Sequence, residues 1–210
     1  MRVAVRALSE LGADVVLAPE RWVARADAGE GVPLGELVVE RRERAGAVDR
    51  CVVLDTTHAK DGLLDIASAL RAASSAKSVK KRAHVGDLVV SRLRPYLRQI
   101  AFVHPRALEV AARPLALSSE FYVLAPLHEG DDLAFLLPFL LGDPVQAVLA
   151  AAQEGGHHPR VPRASLLALR VPEALIAERH RIAIEVRAAL ARLYGALEGY
   201  HALLRDPEVR

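Results

Sequence analysis

The sequence predicts an α+β fold in which a mixed globule is followed by one long C-terminal helix of the coiled-coil type. Three observations predict it. The middle of the chain carries short β-branched or aromatic runs bounded by turn residues. Residues 63–73 and 131–152 look helical from the spacing of their apolar residues. After Pro172 no proline occurs as far as Leu204, so a helix can continue almost to the end of the chain.

The first part of the chain is predicted to alternate between helices and extended segments. A short helix over residues 3–11 ends at Gly12, and a polar loop over residues 24–31 follows. Order resumes at Val32, and residues 40–44 form a charged run that we expect to be exposed. Residues 50–56 are a strand candidate. The helix predicted for residues 63–73 places these residues on one side: Leu63, Leu64, Ile66, Ala67 and Leu70.

The middle of the chain is the most strand-like part. Strands are predicted at residues 88–90, 100–103 and 121–124, and Gly86-Asp87 marks a turn before the first of them. Two helices follow, at residues 131–141 and 145–152. Asp143 can cap the second of these helices while Pro144 occupies its first turn.

The predicted long helix, residues 173–204, carries an apolar seam. At about 1.5 Å per residue it spans roughly 45–50 Å, so part of it should project beyond the globule. It either folds back over its own domain or docks on a partner helix from a second copy or another subunit. The seam follows a strict 4-3 alternation through Ile182, Val186, Ala189, Leu193, Ala196, Tyr200 and Leu203.

Positive charge is clustered in this sequence. The formal net charge is only +2, yet Asp87 is the one acidic residue between Lys77 and Arg98. Local positive charge of this kind suits a surface that follows DNA phosphates, because neutralising phosphates releases counterions. The alternative is a solvated charged rim. The cluster comprises Lys77, Lys80, Lys81, Arg82, Arg92, Arg94 and Arg98.

Four motifs, in order, resemble the specificity subunits of type I restriction–modification systems. Residues 32–37 resemble the start of that family's recognition domain. Ser91-Arg92-Leu93-Arg94-Pro95-Tyr96 resembles its S-[KR]-L-R-P-Y turn after a strand, and residues 117–124 resemble its S-S-E-F strand. Residues 155–161, with the later Val171-Pro172, resemble the glycine–arginine loop and the proline before its spacer helix. A complete subunit has two recognition domains and two spacer helices, whereas this chain carries one of each.

The resemblance implies a target recognition domain at residues 1–172, of which 1–31 match nothing in the family, a spacer or dimerisation helix at 173–205, and a tail at 206–210. Such a domain reads one half of a bipartite site in double-stranded DNA. An N6-adenine DNA methyltransferase subunit would supply the catalysis, so this chain needs no cofactor. A homodimer, or pairing with a second recognition domain through the C-terminal helix, would restore two readers.

The resemblance and the charge cluster together select candidate DNA contacts. We expect Lys80, Lys81 and Arg82 to bind phosphate. Arg92, Arg94 and Arg98 are divided between phosphate and base edges, unless one of them braces the fold by pairing with Glu120. Tyr96 is expected to pack behind its turn, and Arg160 is the best contact candidate in the glycine loop. The predicted set is completed by Lys77, His157, His158 and Arg163.

Catalytic signatures are missing from the sequence, so we expect a protein that is not an enzyme. It has neither the glycine-rich cofactor loop of a methyltransferase nor the Gly-x-Ser-x-Gly elbow of a hydrolase. Adjacent histidines in an extended segment point apart, so no metal site is expected. The N-terminus lacks a secretory signal and residues 133–141 are too short to span a bilayer, which favours the cytoplasm. The alternative function is a protein–protein adaptor in a defence complex that no longer reads DNA.

Overall fold

The computed structural model describes residues 30–47, 50–72, 79–155 and 159–204. The helix predicted at residues 3–11 lies outside this range, as do Lys77, His157 and His158. The strands are β1 (Val32–Pro33), β2 (Val38–Glu40), β3 (Val52–Leu54), β4 (Ala59–Lys60), β5 (Leu63–Leu64), β6 (Lys81–Ala83), β7 (Leu88–Ser91), β8 (Ile100–Phe102), β9 (Leu115–Leu117), β10 (Phe121–Pro126) and β11 (Arg170–Val171).

The helices are α1 (Ile66–Arg71), α2 (Pro105–Ala111), α3 (Leu136–Leu141), α4 (Asp143–Ala151), α5 (Arg163–Leu167), α6 (Glu173–Ala177) and α7 (Arg179–Leu203). Short 3₁₀ turns lie at Leu34–Glu36, Thr56–His58, Pro95–Leu97 and Leu133–Phe135. This mixture of sheets and helices, with a long helix at the C-terminal end, confirms the predicted α+β class.

A four-stranded antiparallel sheet in the order β2-β10-β7-β8 forms the middle layer of the globule. Both of its faces are buried. On β7, Leu88 and Val90 contribute to one hydrophobic core and Val89 contributes to another. Strands that are covered on both faces have continuous apolar sequences, which explains the runs predicted at residues 88–90, 100–103 and 121–124. All three predicted strands are confirmed.

The two hydrophobic cores lie on opposite faces of the middle sheet and are closed by different layers. The first lies between the sheet and a helical layer that includes α3, α4 and the start of α7. The second lies between the sheet and a three-stranded sheet in the order β3-β9-β6, together with α1 and α2. Strand β1 pairs with β11 through Val32 and Val171, which joins the two ends of the described globule.

The helix predicted at residues 63–73 is shorter than expected. Leu63 and Leu64 belong to β5, which pairs with β4, so their prediction as helical residues was wrong. The helix starts at Ile66 because the carboxylate of Asp65 accepts a hydrogen bond from the Ser68 amide at 2.9 Å and caps the first turn. Leu70 is 43% exposed and does not contribute to the apolar side.

Two further expectations about helix ends need correction. Asp143 does not cap α4: it is the first helical residue, and Gly142 occupies the cap position without a side-chain hydrogen bond. The helix predicted over 173–204 is divided at Glu178, whose φ of −93° and ψ of 6° leave the helical region. Helical hydrogen bonding resumes at once, since the Ile182 amide donates to the Glu178 carbonyl at 3.0 Å.

Helix α7 is buried on one face only as far as Tyr194, and we call the part up to Tyr194 its first or covered half and the remainder its second or exposed half. Ala183 and Leu190 are buried in the first core and Tyr194 in the second. Of the predicted seam, Ile182 and Val186 pack against the first core and Ala189 is half-buried. This part of the helix therefore folds back over its own domain, which is the first of the two predicted alternatives. The remaining seam residues are exposed: Leu193, next to Tyr194 at the end of the covered half, and Ala196, Tyr200 and Leu203 in the second half, together with Leu197 and Leu204.

Within the described residues, no helix is by itself long and apolar enough to cross a membrane. One bent pair, Leu133–Leu141 with Asp143–Ala151, reaches that length and composition jointly, with an angle of 73° between its members.

Candidate nucleic-acid interface

Four of the predicted DNA-contacting residues meet in one surface cleft of about 470 Å³, which we call the basic cleft. They come from three separate parts of the chain: Lys81 begins β6, Arg92 follows β7, and Arg160 and Arg163 lie at the start of α5 or just before it. The cleft is lined by Glu40, Arg42, Lys81, Arg92, Tyr122, Glu154, Arg160, Val161, Pro162 and Arg163.

The middle sheet builds this cleft at the end where β7 finishes and β10 starts. The segment before α5 extends the sheet there, because the Val161 amide donates to the Arg92 carbonyl at 2.9 Å and Arg160 forms a bridge with Leu93. The Tyr122 hydroxyl donates to the Val161 carbonyl at 2.9 Å and fixes the same segment from beneath. Backbone hydrogen bonds therefore bring Arg92 and Arg163 to one surface.

Glu40 lies at the centre of the charges in the cleft. Its side chain is only 7% exposed, and its carboxylate accepts from Arg163 Nε at 2.9 Å and from Lys81 Nζ and Arg42 Nη2 at 3.3 Å each. Burial acts to raise the pKa of Glu40, but the hydrogen bonds and charges of Lys81 and Arg42 outweigh it and hold the pKa below its ordinary value. The expectation that Glu40 is exposed was wrong.

Arg92 lies over an aromatic ring in the cleft. Its guanidinium carbon is 5.3 Å from the centroid of the Tyr122 ring, within the range of a cation–π interaction, and Lys81 Nζ is 5.8 Å from the same centroid. The Nε atom of Arg92 is buried and no described residue accepts its hydrogen bond. Burial raises the pKa of the Tyr122 hydroxyl, which the nearby charge of Arg92 partly opposes. Tyr122 is therefore neutral and holds Arg92 by its ring.

Arg160 has the bracing role that the sequence suggested for a residue of the 92–98 segment. Its Nε and Nη2 atoms donate to the two carboxylate oxygens of Glu120 at 2.9 and 2.7 Å, a bidentate pair. Its backbone also exchanges two hydrogen bonds with Glu154, at 2.8 and 2.9 Å, which closes the stem of the glycine loop. The sequence made Arg160 the best DNA contact of this loop, whereas the geometry uses it to hold the stem.

The turn that follows Arg92 exposes an aromatic side chain. Arg94 and Arg98 both adopt left-handed backbone conformations, with φ of 46° and 49°, on either side of the 3₁₀ turn Pro95–Leu97. Tyr96 is 67% exposed, so the expectation that it packs behind the turn was wrong. Non-glycine residues in this region cost about 1–3 kcal/mol each and are concentrated at functional sites.

The arginines of this turn differ in their contacts. Arg98 forms an ion pair with Asp143 at the start of α4, which ties the turn to the globule. The Arg94 side chain is exposed and makes no hydrogen bond or ion pair with a described residue. Arg94 and Tyr96 are therefore presented outward at the side of the basic cleft where Leu93 meets Arg160.

The predicted phosphate contacts divide between two places. Lys81 enters the cleft, whereas Arg82 pairs with Glu43 at 3.5 Å, next to a 2.8 Å contact between Glu43 and His84. The Lys80 carbonyl accepts from the Ala45 amide at 2.9 Å. Sequence reasoning missed Glu40, Arg42 and Tyr122. The spacing of Glu40 and Arg42, two residues apart in an extended segment, was the one signal that they share a face.

No group of three His, Cys, Asp or Glu side chains in the described part of the chain is arranged to hold a metal ion. No protein-family model matches the sequence, and no curated protein matches it either. Solved structures do match. One is a chain from a structure that addresses complex assembly and conformational transition in the type I R-M system, with a TM-score of 0.51 and 22% identity over 82% of this chain.

A second match is the HsdS subunit from Thermoanaerobacter tengcongensis, with a TM-score of 0.50 and 22% identity, again over 82% of this chain. The chain has the fold of a type I specificity subunit. The resemblance seen in four motifs is thus confirmed at the level of the fold. The chain spans 45% and 44% of the length of the two matched chains, so it corresponds to less than half of either.

Proposed function

We propose that this chain is the sequence-specific DNA-binding subunit of a restriction–modification or related methylation-based phage-defence system. The observation that carries the proposal is the basic cleft, where five cations and an aromatic ring converge in a chain with the specificity-subunit fold. Arginine suits this role because its planar guanidinium forms bidentate contacts with phosphate and with guanine. In this proposal residues up to 172 form the recognition domain and residues 173–205 the spacer helix.

We assign the contacts to two groups. Arg163, Arg42 and Arg92 in the basic cleft bind the DNA backbone, which fixes the register of the protein on the duplex without reading its sequence. Arg94 and Tyr96 reach the groove from the neighbouring turn, where an exposed guanidinium and an exposed ring can contact base edges and sugars. Arg160 keeps its structural pair with Glu120.

The proposed pairing surface is an exposed stripe that starts at Leu193 and continues along the second half of α7. It presents Leu193, Leu197, Tyr200 and Leu203, each at least 41% exposed. We propose that a second copy covers this stripe, giving a homodimer that reads a palindromic, interrupted site. Pairing with a different recognition domain would give an asymmetric site instead.

Catalysis belongs to a partner in this proposal. An N6-adenine DNA methyltransferase subunit binds the assembled readers and supplies both the methyl donor and the reacting groups, in the cytoplasm where the DNA is. The chain then decides which adenine is modified without taking part in the chemistry.

The test is selection from a randomised duplex pool at near-physiological salt, with and without the methyltransferase subunit of the same system. Enrichment of a gapped, two-part motif is the expected result, and a palindromic motif would establish the homodimer. No enrichment with the partner present would overturn the proposal in favour of the protein–protein adaptor.

Matched single-charge variants locate the reading face. Arg94→Gln should weaken binding to the enriched duplex and reduce the dependence of log K on log salt by about one phosphate equivalent. Arg113→Gln removes one exposed positive charge outside the cleft and should leave both quantities close to wild type. Equal effects of the two variants would show that the reading face is misplaced.

A further inference from the structure

A buried carboxylate at the centre of a DNA-binding cleft opposes the function proposed for that cleft. Phosphates are repelled by it, and burying a charge is costly unless it is paired. In the basic cleft the carboxylate of Glu40 is 7% exposed and is approached by three cations. Among the described residues, this is the one carboxylate that both lines the cleft and pairs with its cations.

The three cations are held to different degrees. Lys81 is 20% exposed, and its Nζ also donates to the Phe121 carbonyl at 2.7 Å, so it is part of the fold. Arg163 and Arg42 are 48% and 73% exposed. They reach Glu40 from two separate parts of the chain, Arg163 from the start of α5 and Arg42 from just after β2.

The contact with Glu40 leaves part of the Arg163 guanidinium available. Arg163 donates to Glu40 through Nε alone. A guanidinium has five N–H donors, so those on its Nη atoms remain for a phosphate. Glu40 can therefore aim Arg163 into the cleft and, at the same time, offset its charge.

Resting on the DNA-binding function proposed above, we infer that Glu40 is a positioning residue that makes the basic cleft selective. It orients Arg163 and Arg42 and offsets their charge, so that random duplex binds weakly. Only a duplex that also satisfies the reading turn then binds well. Since non-specific affinity comes almost entirely from phosphate neutralisation, removing this charge acts first on random DNA.

The test compares Glu40→Gln with wild type in titrations of random duplex and of the duplex enriched in the pool selection, over a range of salt concentrations. Glutamine keeps the shape and one acceptor oxygen but removes the charge. We expect Glu40→Gln to bind random duplex about three- to tenfold more tightly, with a salt slope steeper by about one. The ratio of specific to random affinity should fall.

The control is Glu36→Gln, which removes an exposed carboxylate outside the cleft. It should change the affinity for random duplex by less than about twofold, because a solvent-exposed charge that does not line the cleft is screened by salt. The inference is overturned if Glu40→Gln binds random duplex no more tightly than wild type. It is overturned equally if Glu36→Gln produces the same gain, because the effect would then be one of net charge.

Thermal unfolding shows whether Glu40→Gln folds. If it does not, Arg163→Gln tests the same inference from the exposed side of the pair. It should weaken random binding about three- to tenfold and lower the salt slope by about one, and an unchanged slope would overturn the inference. Wild-type protein that binds no duplex, with or without the methyltransferase, would instead overturn the proposed function, so the two failures are distinguishable.

Discussion

The two halves of helix α7 carry leucines at equivalent positions and use them differently. Leu190 is 4% exposed and lies in the first core, whereas Leu197, seven residues later, is 41% exposed. The difference comes from what stands beside the helix: the 3₁₀ turn Leu133–Phe135 packs against the first half, and an ion pair between Arg187 and Asp132 at 3.1 Å closes the contact. An apolar seam therefore shows that a helix will be covered, but does not show by what.

The largest expected effect on stability is in the covered half. Leu190→Ala should lower the free energy of unfolding by about 2–5 kcal/mol, because it removes a buried side chain and leaves a cavity in the first core. Urea unfolding at a low protein concentration measures it. A loss below about 1 kcal/mol would mean that the helix does not depend on this contact.

Tyr194→Phe should have the next largest effect. The Tyr194 hydroxyl accepts from the Leu64 amide at 3.1 Å and donates to the Leu64 carbonyl at 3.3 Å, which joins the helix to β5. Removing the hydroxyl leaves these buried groups without that partner and should cost about 1–3 kcal/mol. Tyr200→Phe is the matched control in the exposed half, and equal losses in the two variants would contradict the comparison.

A smaller and pH-dependent effect is expected where the covered half meets α2. His104 stacks on Tyr194 with ring centroids 5.9 Å apart, and its Nδ1 accepts from the Arg106 amide at 3.2 Å, capping α2. Burial lowers the pKa of His104. The Arg187 backbone and, less strongly, Glu109 oppose this only in part, and the charges of Arg187 and Arg106 add to the lowering. The folded state therefore favours neutral His104.

The lowered pKa of His104 decides whether stability rises or falls with pH. The stability that His104 contributes is complete above about pH 6.5, the pKa of an unfolded histidine, and is lost as the pH falls through the lower folded value. His104→Asn keeps a capping side chain without a titrating group. The difference in unfolding free energy between wild type and this variant should change in that pH interval, and a difference that stays constant would contradict the assignment.

In the exposed half, Gly199→Ala should stabilise the protein. A Cβ atom at Gly199 would meet nothing within 4 Å, so alanine gains helix propensity without a clash. The expected gain is about 0.5–1 kcal/mol in the free energy of unfolding. Thermal unfolding measures it, and a loss of stability would show that the chain packs against this face of the helix.

Leu197→Ala should have the smallest effect on the folding of a single chain, below about 0.5 kcal/mol, because its side chain is already exposed. Its effect should appear in self-association instead, as a dimer dissociation constant raised by about tenfold. Analytical ultracentrifugation of this variant beside wild type tests both statements. Wild-type protein that remains monomeric at all concentrations would remove the second copy as the occupant of the stripe.

The seam on α7 shows what apolar periodicity can and cannot predict about burial. The 4-3 alternation located the apolar stripe, yet the buried residues Ala183, Leu190 and Tyr194 lie on an adjacent face of the helix. Tyr194 is buried because its hydroxyl finds a partner 130 positions earlier in the chain. No local pattern contains that information.

Three of the four strands of the middle sheet, the fold class and the long helix could be predicted from the sequence. Continuous apolar runs and helical spacing reflect interactions within a few residues, so they can be read locally. Which charged side chains form ion pairs with each other could not be predicted from local sequence patterns. Arg160 and Glu120 are 40 positions apart and Arg163 and Glu40 are 123 apart, and only the pairing of β2, β10 and β7 brings them together. Arg160 therefore holds the fold through Glu120 instead of standing free on a basic surface, and Glu40 lies at the centre of the cleft. Both outcomes follow because the register of a sheet sets distances between side chains that sequence spacing does not.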